Sequence, residues 1–411
     1  MTKFFYDRNF YIFTLLLIFH FSTFIPQNLQ YYGFLVGTWI FSFYLFRTSN
    51  NLNSISIIKE NIAVYTFPYL FAIAYTTFLI LINQSEMSYL IRGLSITMKI
   101  ISLALVSYAL IMKYKTKTID LLFVSFTVAY FVLTFEGVLH YGPLYILQSA
   151  LNLSESRFEW SVEGSEFDHI FEVHEFGLVA PLIALYYLMS DCKWQKKIIY
   201  TSISLLIALI CVKRIAIAAL VCCFFVFLLC SFSIIKQLVI KFGGYIFIAV
   251  SYLFLIFIYS RQYEYYSMHF NIDMKGRDVF FHYFTRMIDF SPSFLGNGFD
   301  YVSRYLQEVN PFNGIMGVHN DILRLYIDLG YGALFVFLYL MFEYNRKVHM
   351  KIGDNAVFPF IICSLYCFIT YFSDNTISYG LIQMTNALIP ITMTYRNITR
   401  KKTRLKVYGN K

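Results

Sequence analysis

Long, unbroken apolar stretches are the feature that most constrains how this chain can fold. Twelve of them, each of about 15–22 residues, are separated by polar segments along the 411-residue chain. About 20 apolar residues in a helix cross the hydrocarbon core of a bilayer, and only helices or closed barrels satisfy their backbone hydrogen bonds there. Barrel strands are short and alternate in polarity, so the pattern predicts an all-α, polytopic integral membrane protein.

Composition agrees with this class and excludes an ordinary soluble domain. Hydrophobic residues make up 58% of the chain and charged residues only 14%, against roughly 25% charged in soluble domains. We expect one membrane domain over 1–411. The predicted spans are 10–25, 31–46, 62–82, 94–112, 119–140, 171–189, 198–212, 215–235, 244–260, 323–342, 356–372 and 381–395.

The distribution of Lys and Arg predicts the orientation of these spans. With the N-terminus inside, the inner segments hold 22 of the 33 basic residues and the outer segments hold nine. Because Lys and Arg concentrate in cytoplasmic loops, we expect both termini in the cytoplasm. Seven bases lie in the tail 396–411, which indicates a cytoplasmic anchor beside anionic membrane lipid rather than a nucleic-acid partner.

Two of the predicted outer loops are long. Residues 141–170 carry five acids and one arginine, and residues 261–322 form a loop of about sixty positions. Long loops are uncommon unless they are functional or form a small subdomain. We therefore expect the functional residues on this side of the membrane.

The first charged cluster that would be energetically costly near a bilayer is Lys213-Arg214, which separates two apolar runs at the predicted outer surface. An ionised side chain at that depth costs on the order of 2–3 kcal/mol. Such a group usually faces the interior of the helix bundle and meets an anion, which favours an anion ligand. The alternative is an arginine that only extends to the interface.

The second cluster begins the long outer loop, where Gly276 precedes Arg277 and Asp278. Arg277 offers a planar fork of donors that suits phosphate oxygens. Asp278 would interact favourably with a helix N-terminus, and that alone would explain it. Further on, Gly296 and Gly298 could let backbone N–H groups approach a ligand, although an ordinary turn explains them equally simply.

The third cluster marks the return from the long loop into the membrane. If the chain is helical from Asn320, then Asn320, Arg324 and Asp328 share one face, and Arg324 could pair with Asp328. His319 lies just before this helix. It could accept a proton from a sugar hydroxyl or donate to a phosphate, or it could simply be hydrogen-bonded.

Further candidates rest on residue chemistry alone. Glu172 and Glu175 lie at the outer mouth of a predicted span and could bind sugar hydroxyls, or only cap the helix. Asp374 lies in the short outer turn between the last two spans, and Arg286 is another base of the long loop. We include these four residues among the predicted substrate contacts.

Taken in order, these clusters resemble the O-antigen polymerase and O-antigen ligase superfamily of membrane glycosyltransferases. The resemblance covers roughly residues 165–375. It rests on basic residues at the outer start of a helix, Gly-Arg-Asp before an aromatic pair, Leu-Gly-x-Gly-Phe, and His-Asn followed after nine residues by Gly. In this sequence these are Lys213-Arg214, Gly276-Arg277-Asp278 with Phe280-Phe281, Leu295 to Phe299, and His319-Asn320 with Gly330.

The resemblance implies a GT-C-like fold of about 12 transmembrane helices in the bacterial cytoplasmic (inner) membrane, with 261–322 as the large periplasmic loop and 141–170 as a second one. It implies an undecaprenyl-diphosphate-linked oligosaccharide as donor, with neither metal nor cofactor. It assigns the diphosphate to Arg214 and Arg277, and the acceptor hydroxyl to His319 as general base. A chain-length regulator protein and a flippase are the implied partners.

Three functions remain open. A polymerase would transfer the growing glycan onto the next lipid-linked repeat unit, and a ligase would transfer it onto lipid A-core. Lys213 stands where the superfamily usually has Ser, and Ala333 departs from the ligase pattern, so we favour the polymerase over the ligase. A flippase or transporter of lipid-linked sugar would place its charges in mid-span and in paired halves, unlike this chain.

Overall fold

The computed structural model describes residues 5–22, 24–48, 56–142, 175–211, 213–270, 277–309, 311 and 318–408. Over these residues the chain is helical and forms no β-strand. The prediction of an all-α protein is confirmed for this part of the chain. Glu172, Gly276 and most of the predicted loop 141–170 lie outside the described residues.

Within the described residues, the first half of the bundle contains ten helices, and each coincides with apolar sequence or directly continues it. They are α1 (Arg8–Phe21), α2 (Gln27–Arg47), α3 (Ser56–Ala63), α4 (Phe67–Leu81), α5 (Met87–Tyr114), α6 (Thr118–Tyr141), α7 (Phe176–Met189), α8 (Trp194–Ile210), α9 (Arg214–Leu229) and α10 (Ser233–Tyr259). A single 3-10 turn joins α3 to α4, so these two helices form one element.

The predicted outer loop 261–322 contains short helices, and three longer elements follow it. The short helices are α11 (Gln262–Phe270), α12 (Arg277–Thr285) and α13 (Tyr301–Val309). The first of the longer elements is continuous and consists of α14 (Asp321–Leu338), a π-helical segment (Tyr339–Tyr344) and α15 (Asn345–Met350). The other two are α16 (Asp354–Tyr371) and α17 (Gly380–Tyr408). Each of the twelve predicted spans overlaps one of the helices described here.

Several of these helices suit insertion into a membrane. In the described part of the chain, five helical segments are long and apolar enough to cross a bilayer: Lys59–Leu81, Met87–Leu139, Ser233–Tyr259, Asp321–Met350 and Asp354–Tyr371. Helices α1, α7 and α9 are apolar but shorter. Large apolar side chains such as Ile40, Leu139 and Ile234 point outward, as lipid-facing residues do.

Contacts between connecting segments divide the bundle into two ends. At one end, which we call the inner end, Tyr114 donates to Asp7, Lys196 pairs with Asp120, and Lys351 pairs with Glu60. Apart from Asp120, the second residue of the predicted span 119–140, these residues belong to segments that the charge distribution assigns to the inner side.

At the opposite end, the outer end, the hydroxyl of Ser85 donates to the carbonyl of Asn297 at 2.6 Å, and Arg92 pairs with Asp300 at 3.0 Å. These residues all come from predicted outer segments. The contacts at the two ends therefore agree with the alternating path that the hydropathy pattern predicts.

A close approach between two glycines fixes the outer loop against the bundle. Gly330 has φ +73° and breaks the regular helix in α14, and Gly296 has φ +80° and lies directly against it. A Cβ atom on either glycine would overlap the backbone of the other segment. The backbone N–H of Gly298 donates to the carbonyl of Asp328 at 2.8 Å, which secures the contact.

Candidate functional site

Asp374 is the centre of the candidate site at the outer end. It follows α16 in the turn before α17, and its carboxylate is buried. The Lys213 Nζ lies 3.4 Å from Asp374 Oδ2, the His319 Nδ1 lies 3.8 Å from Oδ1, and the Tyr379 hydroxyl donates to Oδ1 at 3.3 Å. We call these four residues the Asp374 cluster.

Each member of this cluster comes from the end of a different element. Lys213 caps the N-terminus of α9, and His319 stands two residues before α14. His319 has φ +49°, a left-handed conformation that is uncommon outside glycine and is often found at functional sites. Its imidazole is half exposed, with 51% of the side chain accessible, so a ligand can reach it.

The electrostatics of the cluster keep Asp374 ionised. Burial alone would raise the pKa of Asp374, but the nearby His319 imidazole and the positive charge of Lys213 outweigh it and lower this pKa below its usual range. An ionised carboxylate at this point holds Lys213 and His319 on the same side of the turn.

Arg277 reaches the same turn from the long outer segment. It is the first residue of α12, and its Nη2 donates to the carbonyl of Ser373 at 3.3 Å. Its Nε is buried and has no hydrogen-bond partner among the residues that the structure describes. Arg277 therefore brings a guanidinium group with unused hydrogen-bonding capacity to the residue that precedes Asp374.

The other charged residues predicted for the first two clusters and the long loop lie on more open surfaces. Arg214 is exposed at the first position of α9, beside Lys213, and Asp278 is exposed in the first turn of α12. Arg286 contacts the Nε2 of His282 at 2.6 Å, and the Nδ1 of His282 lies 3.3 Å from a Glu264 oxygen. The structure joins Arg286 to α11 and α12 through this chain of contacts.

Asn320 holds the start of α14 in place. Its Oδ1 accepts from the N–H of Leu323 at 2.8 Å, and its Nδ2 donates to the carbonyl of Phe372 at 2.9 Å. Asn320 therefore caps one helix and ties it to the end of another, beside the Asp374 turn.

The partner of Arg324 differs from the one that the spacing suggests. Its Nη2 pairs with Asp321 Oδ1 at 2.8 Å. Asp328 instead accepts from the backbone N–H groups of Asp300 and Val302, each at 2.9 Å. Asp328 thus fixes the start of α13, while Arg324 turns toward the base of α14.

The remaining predicted contacts have structural partners. Glu175 accepts from the N–H of Ile382 at 3.2 Å and lies 3.8 Å from the Nζ of Lys99, so it caps the start of α17. A Cβ atom at Gly296 would overlap the backbone of α14, and one at Gly298 would overlap the side chain of Ser85, which accounts for the absence of side chains at both positions. These residues support the frame around the site.

A cavity adjoins the Asp374 cluster. It has a volume of about 180 Å³ and is lined by Val302, Ser303, Leu306, Val318, Arg324, Asn375, Ser378 and Tyr379. Val318 directly precedes His319, and Asn375 directly follows Asp374. The cavity and the cluster therefore share a wall.

Sequence reasoning missed the direct roles of two residues. It chose Arg214 at the start of α9, whereas Lys213 is the residue that reaches Asp374, and it did not single out Tyr379. The lysine and the aspartate are 161 positions apart, so no local pattern could reveal their contact.

The arrangement can bind an anion and move a proton. It combines cationic side chains with a histidine held by a carboxylate, and no group of three His, Cys, Asp or Glu side chains in the described ranges is placed to hold a metal ion. Compared with models of known protein families and with curated proteins, the sequence matches neither.

Proposed function

We propose that this protein is a glycosyltransferase that polymerises lipid-linked oligosaccharide repeat units, transferring a glycan from a polyprenyl diphosphate to the next lipid-linked unit. One observation carries the proposal: His319, Lys213 and Arg277 converge on the turn at residues 373–374 from three distant segments. This is a cationic, proton-accepting arrangement at one end of an apolar helix bundle.

The proposal includes a topology of twelve membrane spans with both termini in the cytoplasm. It is supported by the excess of Lys and Arg in the predicted inner segments and by contacts that pair segments of the same predicted side at each end. With this orientation in a bacterial inner membrane, the Asp374 cluster would face the periplasm, where lipid-linked glycans are assembled.

The diphosphate of the donor would bind to the cationic side chains. Arg277 has an Nε without a partner in the described part of the chain, and Arg214 extends from the N-terminus of α9. As the bond between the anomeric carbon and the diphosphate breaks, negative charge develops on the leaving oxygen. Positioned guanidinium groups stabilise this charge more in the transition state than in the ground state.

His319 would act as the general base on the acceptor. With Nδ1 directed toward Asp374, Nε2 is the nitrogen left to accept the proton of the acceptor hydroxyl. The acceptor oxygen forms the new bond to the anomeric carbon, polyprenyl diphosphate leaves, and the proton moves to His319. Ionised Asp374 stabilises the imidazolium that results, as carboxylates do beside catalytic histidines.

A ligase of the same superfamily is the second candidate, because it would use the same donor and the same chemistry. The test is the surface glycan of a strain that lacks this gene, separated on a gel. A polymerase predicts decoration with a single repeat unit, restored to a long ladder by the wild-type gene. A ligase predicts bare core and accumulated long lipid-linked chains.

Two variants test whether the proposed site is responsible for the glycan ladder on this gel. His319→Ala and Arg277→Ala should each be inserted and expressed at normal levels but fail to restore the ladder. Near-normal long chains from both variants would contradict the proposal. Loss of all lipid-linked repeat units from the outer leaflet would instead indicate a flippase.

A further inference from the structure

The lining of the cavity beside the Asp374 cluster is of two kinds. Val302, Leu306 and Val318 contribute aliphatic surface, and Arg324 and the polar turn that includes Asn375 contribute polar groups. A pyranose ring offers the same two kinds of surface, with C–H groups on its faces and hydroxyl groups around its edge.

The size of the cavity sets an upper limit on the ligand. At about 180 Å³, it equals the volume of about six liquid water molecules and is smaller than the roughly 300–1,000 Å³ of pockets for drug-sized ligands. It can enclose a single sugar ring, and the rest of a longer acceptor would have to lie outside it.

Two buried polar groups in the cavity wall lack partners. The Nε of Arg324 is a donor and the Oδ1 of Asn375 is an acceptor, and neither has a hydrogen-bond partner within the described residues. Buried polar groups are nearly always paired with protein, water or ligand. Hydroxyl groups, which both donate and accept hydrogen bonds, match the polar character of this lining.

The charges around the cavity are already balanced. The guanidinium of Arg324 pairs with Asp321 at 2.8 Å, and Asp374 pairs with Lys213 at 3.4 Å. A carboxylate on the ligand would therefore meet no uncompensated cation, and its burial would be costly. The cavity suits a neutral sugar and disfavours a uronic acid.

The cavity is also held open before any ligand binds. Asp328 accepts from the N–H groups of Asp300 and Val302, and Arg92 pairs with Asp300 at 3.0 Å. These contacts anchor the start of α13, which supplies the aliphatic wall. A wall fixed in this way lowers the conformational cost of binding.

We propose that this cavity is the acceptor subsite, in which one neutral sugar ring of the acceptor lies beside His319. The inference rests on the proposed function, because it identifies the sugar whose hydroxyl His319 deprotonates. It adds that the wall formed by α13, Arg324 and Asn375 selects the acceptor, while Arg277 and Arg214 serve the donor.

The test is protection of a cysteine placed in the cavity wall. Full-length Ser303→Cys protein in liposomes is treated with a small, charged methanethiosulfonate reagent, with and without neutral methyl hexopyranosides or a methyl glucuronide. At least one neutral pyranoside should slow modification several-fold, and the glucuronide should not. Val309→Cys, on the exposed surface of the same helix, is the matched control and should not be protected, and unsubstituted protein gives the background from native cysteines.

The inference would be overturned if no neutral pyranoside changed the labelling rate of Ser303→Cys. It would also be overturned if the glucuronide protected Ser303→Cys as well as the neutral pyranosides do, or if the pyranosides protected Val309→Cys as well as Ser303→Cys. This labelling does not depend on glycan transfer. A normal glycan ladder with no protection therefore removes the subsite and leaves the proposed function. Protection without any ladder from the wild-type gene removes the proposed function, and with it the acceptor role, while showing that the cavity binds sugar.

A second variant separates acceptor from donor. Ser303→Phe fills the cavity and should abolish chain extension while leaving the slow release of polyprenyl diphosphate to water unchanged. Val309→Phe adds the same ring outside the cavity and should change neither. Equal loss of both reactions in folded Ser303→Phe protein would contradict an acceptor-specific subsite.

Discussion

One arginine at each end of the bundle can be compared by how many of its N–H donors have hydrogen-bond partners. At the inner end, Arg346 donates from Nε and Nη2 to the two oxygens of Glu343 at 2.8 and 2.7 Å, and from Nη1 to the carbonyl of Ile240 at 2.8 Å. At the outer end, Arg277 donates to one carbonyl, and its Nε has no partner within the described residues. The first arginine is saturated, and the second keeps capacity for a ligand.

The surroundings of the two arginines differ in the same way. Glu343 is completely buried, and Gly244 on α10 lies so close that a Cβ there would touch its carboxylate. The Asp374 cluster instead adjoins a cavity and includes the half-exposed His319. The buried charge at the inner end is therefore accounted for by its protein partners, whereas the outer end combines an adjoining cavity with a guanidinium Nε that has no partner among the described residues.

The largest effect on stability is expected at the inner end. Glu343→Ala leaves Arg346 buried without its carboxylate and should lower the free energy of unfolding by about 3–5 kcal/mol. Glu60→Ala is the matched control, because it removes an exposed ion pair with Lys351 and should cost at most about 1 kcal/mol. Unfolding in mixed micelles measures both. Equal losses would show that the Glu343 pair is no more structural than a surface contact.

The second effect concerns activity at the outer end. Arg277→Ala should reduce glycan transfer by about 10²–10³-fold, as removal of one positioned donor does, with a change in unfolding free energy below about 1 kcal/mol. Arg286→Ala is the control, because Arg286 is exposed and contacts His282. Single-turnover rates of glycan transfer, measured for both variants and the wild type, distinguish the two arginines. A loss as large in Arg286→Ala would place the donor site at the Arg286, His282 and Glu264 contacts instead.

The third effect is a pH-dependent contribution from Asp374. Because the cluster lowers the pKa of Asp374, the ionised carboxylate stabilises the folded protein fully above its ordinary pKa of about 4. This contribution is lost as pH falls through the lower pKa of the folded state. The difference in melting temperature between wild type and Asp374→Asn should be at least as large at pH 5 as at pH 8 and should shrink below about pH 4. A difference that already shrinks between pH 7 and 5 would contradict the ionised cluster.

The smallest effect tests whether the outer glycines are structural. Gly330→Ala places a side chain at φ +73° against the backbone of Leu295 and should cost about 1–3 kcal/mol from backbone strain alone. Gly332→Ala, two residues later in the same helix with open space around it, should stabilise the protein by about 0.5–1 kcal/mol. Thermal unfolding measures whether each substitution raises or lowers the stability of the protein. A neutral Gly330→Ala would show that the glycine contact does not hold the loop.

Hydropathy predicted the helices because a membrane leaves the backbone few choices. Every predicted span overlaps a helix, since long apolar runs satisfy their hydrogen bonds most simply within one helix. The break at Gly330 and the π-helical segment Tyr339–Tyr344 were not predicted. Both depend on what packs against the helix, which a periodic pattern does not encode.

The candidate site was predictable only in part. The cost of placing a charge near a bilayer identified Lys213-Arg214, and side-chain chemistry identified Arg277 and His319. The shared partner Asp374 brings together Lys213 and His319, which are far apart in sequence. Arg324 pairs with Asp321 rather than with Asp328. Spacing along one helix gives candidates for contact, but the neighbouring elements decide which contact forms.

The central claim is that the outer-end cluster transfers a glycan between two lipid carriers. The direct measurement uses purified protein in liposomes with a synthetic polyprenyl-diphosphate-linked repeat unit, followed by mass spectrometry of the lipids. We predict a lipid that carries two repeat units and an equal amount of free polyprenyl diphosphate, both lost in His319→Ala. No such product from the wild-type protein, or the same yield from His319→Ala, would contradict the account.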